Sequence, residues 1–143
     1  MGVFVTSVRP RWSDMDAYGH INNAKTVTLL EEARIALLYA EAERHGVKDM
    51  LAGMVVAKLA VQYLKPLVFN GEDIRVELSV REMRAASFTL DYVVRGGPTA
   101  EFQVTTKAET MMVPYNVAAG YPRALTEPER DFLAGFRAGG NGA

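Results

Sequence analysis

The chain has 143 residues, no cysteine and a formal net charge of -1. A chain of this length suits one domain with a substantial core, and without cysteine it has no disulfide, thiolate nucleophile or zinc–thiolate site. The balanced charge gives no electrostatic basis for binding nucleic acid or an anionic membrane. We therefore expect a single domain over residues 1–143 that is cytoplasmic and has neither nucleic-acid nor membrane partners.

The first predicted elements are a strand over residues 3–9 and, after a polar stretch, a long helix from residue 24 to about 45. Apolar residues recur through this helix at helical spacing and cover more than one narrow stripe. A helix this apolar is expected to be covered by the fold on several sides. Asn22 or Asn23 is a suitable N-cap for the helix, and Gly46 is a suitable stop.

Four strands with alternating apolar residues are predicted after the helix, over residues 55–63, 74–81, 88–95 and 100–108. The links between them are short, which favours an antiparallel sheet. The fold class that follows is α+β, with one antiparallel sheet wrapped around one long central helix. Helix surface left uncovered by the sheet favours a symmetric homo-oligomer.

The C-terminal region is predicted to add one short helix. Thr126 and Glu129 have the spacing of a capping box, so we expect this helix over about 126–137. The glycine-rich tail at 138–143 is expected to be mobile.

The polar stretch RWSDMDAYGHINNAK, residues 11–25, contains the candidate catalytic residues. Asp14 and Asp16 are expected to point in opposite directions, so that one can face a cleft while the other braces a turn. Gly19 gives the backbone freedom just before the helix, whose first N–H groups are unpaired and carry partial positive charge. A carboxylate beside such a helix start could attack an acyl group or activate water, while the helix stabilises the oxyanion.

A structural interpretation of the same stretch stays open, because Asp and Asn are favoured in turns and helix caps whatever the function. No metal site is predicted. The only two histidines, His20 and His45, are separated by most of a helix, and transition-metal sites need more nitrogen or sulfur ligands than that.

The segment SDMDAYGHINNAKTVTLLEEAR resembles the hotdog-fold acyl-CoA thioesterases of the 4-hydroxybenzoyl-CoA thioesterase type. The features that match are the acid pair Asp14-Met15-Asp16, Gly19, and the helix segment Glu31-Glu32-Ala33-Arg34. The later segment VQYLKPLVFNGEDIRVELSV is similar to that family's strand, Lys-Pro bend and next strand. The resemblance covers residues 4 to about 113 and implies a sheet that wraps a long central helix.

The resemblance also implies roles for single residues. Asp16 matches the catalytic carboxylate, acting as nucleophile or general base, and Asn23 matches the helix-start residue whose backbone N–H polarises the thioester oxygen. His20 and Asn22 are implied as orienting or water-positioning groups, because GHINNAKT is closer to the His-x-Asn-Asn form of fatty acyl thioesterases. This form favours an aliphatic acyl chain over a benzoyl group.

Substrate contacts are predicted at Gly19, Tyr18 and Asn22, with Lys58, Lys65 and Arg84 available for the phosphates of CoA. The substrate is expected to be an acyl-CoA or acyl-carrier-protein thioester, with no resident cofactor and no metal. A homodimer or homotetramer is implied, with residues 55–63 of a second subunit lining the acyl pocket.

Two other functions remain open. One is a hotdog hydratase or dehydratase, which would use Asp16 and His20 as an acid–base pair, although Ala17-Tyr18-Gly19 does not match the Asn-Pro pattern expected there. The other is a non-catalytic protein that binds acyl thioesters. If Asp16 proves dispensable for turnover, Glu31 or Glu32 on the helix would be the alternative carboxylate.

Overall fold

The computed structural model describes residues 2–138, so the predicted mobile tail at 138–143 lies, except for its first residue, outside the described residues. The strands are β1 (Phe4–Val8), β2 (Met54–Tyr63), β3 (Ile74–Met83), β4 (Phe88–Arg95), β5 (Val104–Asn116) and β6 (Tyr121–Pro122). The α-helices are α1 (Asn23–Ile35), α2 (Ala42–Arg44) and α3 (Glu127–Ala134). Within residues 2–138, no helix combines the length and apolar content needed to cross a membrane.

The sheet is antiparallel throughout, in the order β1-β3-β4-β5-β2, with β6 paired to β5. It curls around the central helix, so the predicted hotdog architecture is confirmed. Apolar burial drives this arrangement. Buried side chains from the helix and the concave sheet face meet in one core, which includes Leu30, Ala33, Leu37, Val76, Leu78, Leu90 and Met112.

The central helix begins and ends close to where the sequence predicted. Asn22 is the N-cap, and Gly46 ends the run with a φ of 77° that glycine adopts without strain. The run is not uniform, because Ala36–Glu41 is π-helical and connects α1 to α2. A π segment was not predicted, since the apolar spacing of 3.6 residues carries no signal for it.

Two strand predictions need correction. Residues 100–103 are not strand, because the Phe102 N–H donates to the Thr99 carbonyl in a turn. β5 starts only at Val104 and continues to Asn116, far enough to pair with β4 on one side and β2 on the other. In β2 a bulge between Val56 and Lys58 shifts the alternation. Val56 therefore shares the concave face with Leu59, where unbroken alternation had predicted Val55.

The final helix packs through a buried ion pair. Glu129 is fully buried and accepts two hydrogen bonds from the Arg123 guanidinium, at 2.9 and 2.8 Å. Arg123 also donates to the Asp49 carbonyl at 3.1 Å, and Asp49 lies in the 3₁₀ turn that leads into β2. The predicted capping box is confirmed at Thr126 and Glu129, although α3 ends at Ala134 rather than near 137. α3 is thereby fixed against the start of β2.

Candidate functional site

The loop before α1 is a short, well-held hairpin. The Asp16 N–H donates to the His20 carbonyl at 2.7 Å, and the Gly19 N–H donates to the Asp16 carbonyl at 3.2 Å. Gly19 closes this turn with a φ of 79°, as its predicted conformational role requires. Ile21 and Gly19 also hydrogen-bond to the segment after the Lys65-Pro66 bend, through Leu67 O and Phe69 N. These bonds fix the backbone that presents Asp16.

The Asp16 carboxylate is partly buried and uses one oxygen within the turn. Its Oδ1 accepts from the backbone N–H groups of Tyr18 at 2.8 Å and His20 at 3.1 Å. This is the Asx-turn role that aspartate often has. Within residues 2–138, Oδ2 accepts no hydrogen bond. Asp16 therefore serves the turn with one oxygen and leaves the other without a protein partner in the described part of the chain.

The start of α1 leaves one backbone donor unused. Asn22 Oδ1 accepts from the N–H groups of Ala24 at 2.8 Å and Lys25 at 3.3 Å, which satisfies two of the unpaired N–H groups of the first turn. The Asn23 N–H has no acceptor in the described part of the chain. The Tyr63 hydroxyl donates to the Asn23 carbonyl at 2.7 Å and so ties this residue to the end of β2.

Asp16 and Asn23 line the same cavity, which we call the helix-start cavity. Its volume is about 350 Å³. The loop and helix form one wall, and the end of β2 with the Lys-Pro bend forms the other. Its lining residues include Asp16, His20, Asn23, Thr26, Tyr63, Lys65 and Thr106. A free carboxylate oxygen, a free backbone donor and an ammonium group thus border one space.

Asp14 lies on the other side of the helix, in the β1-side cavity of about 560 Å³ between β1 and α1. Its carboxylate is 1% exposed and accepts from the Arg11 N–H at 2.7 Å and from the Arg11 guanidinium at 3.0 Å. Burial alone would raise the pKa of Asp14, but the hydrogen bonds and positive charge of Arg11 together lower it. Asp14 is therefore an ionised structural carboxylate with both oxygens in use.

The structure brings together only some of the residues singled out in the sequence. His20 and Lys65 reach the helix-start cavity. Tyr18 is 83% exposed and does not line that cavity. Lys58 pairs opposite Met111 on the convex face of the sheet and, with Arg84, lines a separate surface depression. The alternative carboxylates Glu31 and Glu32 are exposed on α1, away from the helix-start cavity.

Three polar lining residues were not assigned to the site of their own chain from the sequence: Thr26, Tyr63 and Thr106. Thr26 is one helical turn beyond Asn23, so the spacing of three residues could have placed it on the same face. Tyr63 and Thr106 are paired opposite each other in β2 and β5, and a sequence without coordinates gives no register for that pair.

No metal centre accompanies this cavity. Within residues 2–138, no three His, Cys, Asp or Glu side chains are grouped closely enough to hold a metal ion.

A curled antiparallel sheet wrapped around one helix is the fold of the hotdog thioesterases. The chain belongs to the thioesterase-like superfamily, whose sequence model matches residues 10–136. This membership supports thioester hydrolysis as the general activity.

Solved structures agree with this assignment. The PA5185 protein from Pseudomonas aeruginosa strain PAO1 superposes with a TM-score of 0.80 at 22% identity, over 95% of this chain and 92% of that one. A thioesterase from Thermus thermophilus, complexed with coenzyme A and Zn, gives 0.72 at 27% identity, over 90% of each chain. Slr0204, a 1,4-dihydroxy-2-naphthoyl-CoA thioesterase from Synechocystis, gives 0.76 at 16% identity, over 94% of this chain and 97% of that one. The first and third show a shared fold alone.

Proposed function

We propose that this protein hydrolyses acyl-CoA thioesters to a free acid and CoA, with Asp16 as the catalytic carboxylate. The observation that supports this is the shared cavity of Asp16 and Asn23, in which Oδ2 of the former and the backbone N–H of the latter have no protein partner among residues 2–138. A base and an oxyanion donor facing one space are the two groups that ester-type hydrolysis requires.

In the general-base route, Asp16 Oδ2 accepts a proton from water while the water oxygen bonds to the thioester carbonyl carbon. The negative charge that develops on the carbonyl oxygen is stabilised by the Asn23 N–H and by the positive end of the helix dipole. Breaking of the carbon–sulfur bond then releases the CoA thiolate, which takes the proton held by Asp16. The products are one carboxylic acid and one thiol.

In the nucleophilic route, Oδ2 itself bonds to the carbonyl carbon, the thiolate leaves, and water then cleaves the resulting anhydride. A single-turnover reaction in H₂¹⁸O tests for the nucleophilic route. Attack of water on the Asp16 carbonyl carbon of the anhydride leaves ¹⁸O in the Asp16 carboxylate, which the general-base route cannot do. Label in the released acid alone arises from the general-base route and also from attack of water on the acyl carbon of the anhydride.

We assign the remaining residues by position. His20 borders the cavity beside Asp16 and is proposed to orient water, whereas Asn22 acts through its cap, which leaves the Asn23 N–H as the free donor. Lys65 is the cation of this cavity and is proposed to contact a CoA phosphate; the coenzyme A bound to the Thermus thermophilus relative supports CoA as the carrier. Lys58 would contact CoA only along the convex face.

A second copy of the chain is proposed to pair along β2. This strand is an edge of the sheet, and apolar side chains on both of its faces are exposed: Val55, Val56 and Leu59. An exposed apolar edge strand is a template for pairing with another strand. Sedimentation of Val55→Lys should show dissociation, whereas Val117→Lys, off the main sheet, should sediment as wild type. A monomeric wild type would refute the pairing.

The function is tested by thiol release from acyl-CoAs of graded chain length. We expect at least one of these thioesters to release CoA at a rate far above the blank. No thiol release from any acyl-CoA or acyl-carrier-protein thioester, although the protein binds them, would leave a binding role and refute hydrolysis.

Hydration is the second candidate, because His20 and Asp16 border the same cavity and could act as an acid–base pair. Crotonyl-CoA separates the two activities. Loss of the enone absorbance without free thiol means hydration, whereas appearance of thiol means hydrolysis, which is the outcome we expect.

A further inference from the structure

A second cavity lies beyond the helix-start cavity, along the seam between α1 and β2. Its volume is about 220 Å³, and we call it the seam cavity. On the helix, Asn23 and Thr26 of the first cavity are followed on the same face by Leu30 and Arg34 of the second, at spacings of three or four residues. The full lining of the seam cavity is Val27, Thr28, Leu30, Glu31, Arg34, Val56, Leu59 and Thr110.

Paired residues of β2 and β5 line the two cavities in the same order as the helix residues do. Tyr63 and Thr106 pair opposite each other at the helix-start cavity, and Leu59 and Thr110 pair opposite each other at the seam cavity. Both pairs face the concave side of the sheet. The two cavities therefore follow one another along the same face of α1, although they share no lining residue. A chain that extends from Asp16 along this face would enter the seam cavity, and we call this course the path.

The seam cavity has apolar sides and a polar far end. Valine and leucine side chains form the sides, and the Arg34 guanidinium lies at the end with only 13% of the side chain exposed. Arg34 donates to the Tyr92 hydroxyl at 3.2 Å, and that hydroxyl is 2.8 Å from Thr110 Oγ1. The nearest carboxylate oxygen, on Glu31, stands 3.9 Å away on a side chain that is 59% exposed.

Arg34 therefore has unused donors in a mostly buried place. A guanidinium has five N–H donors, and within residues 2–138 this one makes a single hydrogen bond. The Arg34 nitrogens without a protein partner are in reach of solvent, since among the described residues only Arg123 Nε is a buried side-chain nitrogen or oxygen without a partner. An acyl chain that follows the path would arrive at these same donors.

We propose that Arg34 binds an oxygen at the far end of the acyl chain, so that the protein selects acyl thioesters with a terminal hydroxyl or carboxylate. This proposal rests on the proposed hydrolysis at Asp16. The hydroxyl and the carboxylate both present an oxygen that accepts a hydrogen bond, and this oxygen is what Arg34 would recognise. The exposed Glu31 carboxylate partly offsets the charge of Arg34, which favours the hydroxyl over the carboxylate.

The length of the path limits the chain. Arg34 follows Asn23 by eleven residues, which corresponds to about 16 Å of helix. The arginine side chain leans back by about one turn, or about 5 Å, which leaves about 11 Å. An extended chain advances about 1.2 Å per bond, so a chain of about eight to ten carbons would span the path.

The test compares three CoA thioesters of one length: octanoyl, 8-hydroxyoctanoyl and 7-carboxyheptanoyl. We expect the wild type to have a kcat/KM at least about tenfold higher for one of the oxygenated chains than for octanoyl-CoA, as a hydrogen bond to a charged group allows. Arg34→Met should remove this preference, and Arg34→Lys should retain part of it. Arg44→Met removes an exposed arginine of the same helical run and should leave the preference unchanged.

Binding of the free acids gives a measurement that needs no turnover. The wild type should bind 8-hydroxyoctanoate or octanedioate more tightly than octanoate, and Arg34→Met should not. If octanoyl-CoA is hydrolysed as well as both oxygenated thioesters, the role of Arg34 is refuted while hydrolysis stands. If no thioester is hydrolysed but the oxygenated acids bind through Arg34, hydrolysis is refuted while the binding role of Arg34 stands.

Discussion

The β1-side cavity and the helix-start cavity lie on either side of the start of α1, and each contains one aspartate. The two carboxylates differ in how many of their oxygens accept hydrogen bonds. In the β1-side cavity, Asp14 is buried and both of its oxygens accept hydrogen bonds from Arg11. In the helix-start cavity, Asp16 gives one oxygen to its own turn and leaves the other without a protein partner in residues 2–138. A carboxylate whose two oxygens both accept hydrogen bonds stabilises structure, whereas one that has an oxygen without a protein partner and lines the same cavity as Asn23 is a candidate for chemistry.

The difference arises from the turn in which each acid lies: Asp14 ends the 3₁₀ turn Trp12–Asp14, whereas Asp16 opens the turn before the helix. Asp14 precedes the hairpin and faces Arg11, with its carbonyl accepting from the Asn22 N–H. Asp16 opens the turn that Gly19 closes, which aims it at the side where Asn23 begins the helix. The turn thus separates a structural acid from a candidate catalytic acid within three residues.

Asp16→Asn should have the largest effect on activity. Turnover should fall at least about 100-fold, because a positioned acid–base group contributes on the order of 10² to 10⁴. Folding should be kept, since an asparagine Oδ1 can still accept from Tyr18 and His20. Thiol release measures turnover, and thermal unfolding verifies the fold.

Asp14→Asn is the paired variant for that measurement. It should cost much less turnover than Asp16→Asn in samples that are fully folded. Equal losses of turnover in the two variants would contradict the division between the two cavities, and unchanged turnover in Asp16→Asn would direct attention to Glu31 or Glu32.

Asp14→Ala should instead lower stability. The variant loses the hydrogen bonds from Arg11 to a buried carboxylate, and we expect the free energy of unfolding to fall by about 1 to 3 kcal/mol. Urea unfolding measures this change. Asp131→Ala, at an exposed position of α3, should stay within about 0.5 kcal/mol of the wild type. A wild-type value for Asp14→Ala would mean that the contacts with Arg11 contribute no net stability.

The contribution of Asp14 should also depend on pH. Its pKa in the folded protein is lowered from the ordinary value of 3.8, so the folded state favours the ionised form. The stabilisation is full above that ordinary value and is lost as the pH falls through the lower, folded-state pKa. The stability difference between wild type and Asp14→Ala should therefore shrink as the pH is lowered below about 4. A difference that stays constant down to pH 2 would contradict the ionised pair.

Much of this comparison could be predicted from the sequence, and the rest required pairing across the sheet. The cap at Asn22 follows from side-chain chemistry. The opposite directions of Asp14 and Asp16 do not follow from strand alternation, which puts residues two apart on one face; they result from the 3₁₀ turn at Trp12–Asp14 and the turn at Asp16. The bulge that turns Val56 inward could not be predicted, because an extra residue in one strand leaves the apolar composition unchanged.

The same limit applies to the polar groups that meet across elements. Tyr63 and Arg34 each read as an ordinary strand or helix residue in the sequence. Their partners, the Asn23 carbonyl and the Tyr92 hydroxyl, are 40 and 58 positions away in the chain. Only the fold brings these groups together.

Tyr63→Phe should have the smallest effect, and it tests how firmly the helix-start cavity holds its donor. The variant loses the hydrogen bond from the Tyr63 hydroxyl to the Asn23 carbonyl, so the Asn23 N–H should be held less firmly. We expect kcat/KM to fall about 2- to 10-fold, which corresponds to the loss of one ordinary hydrogen bond. Tyr115→Phe loses a similar hydroxyl bond, to the Gly120 carbonyl, outside that cavity. If both variants lower kcat/KM equally, the Tyr63 bond contributes to general stability and not to the position of the oxyanion donor.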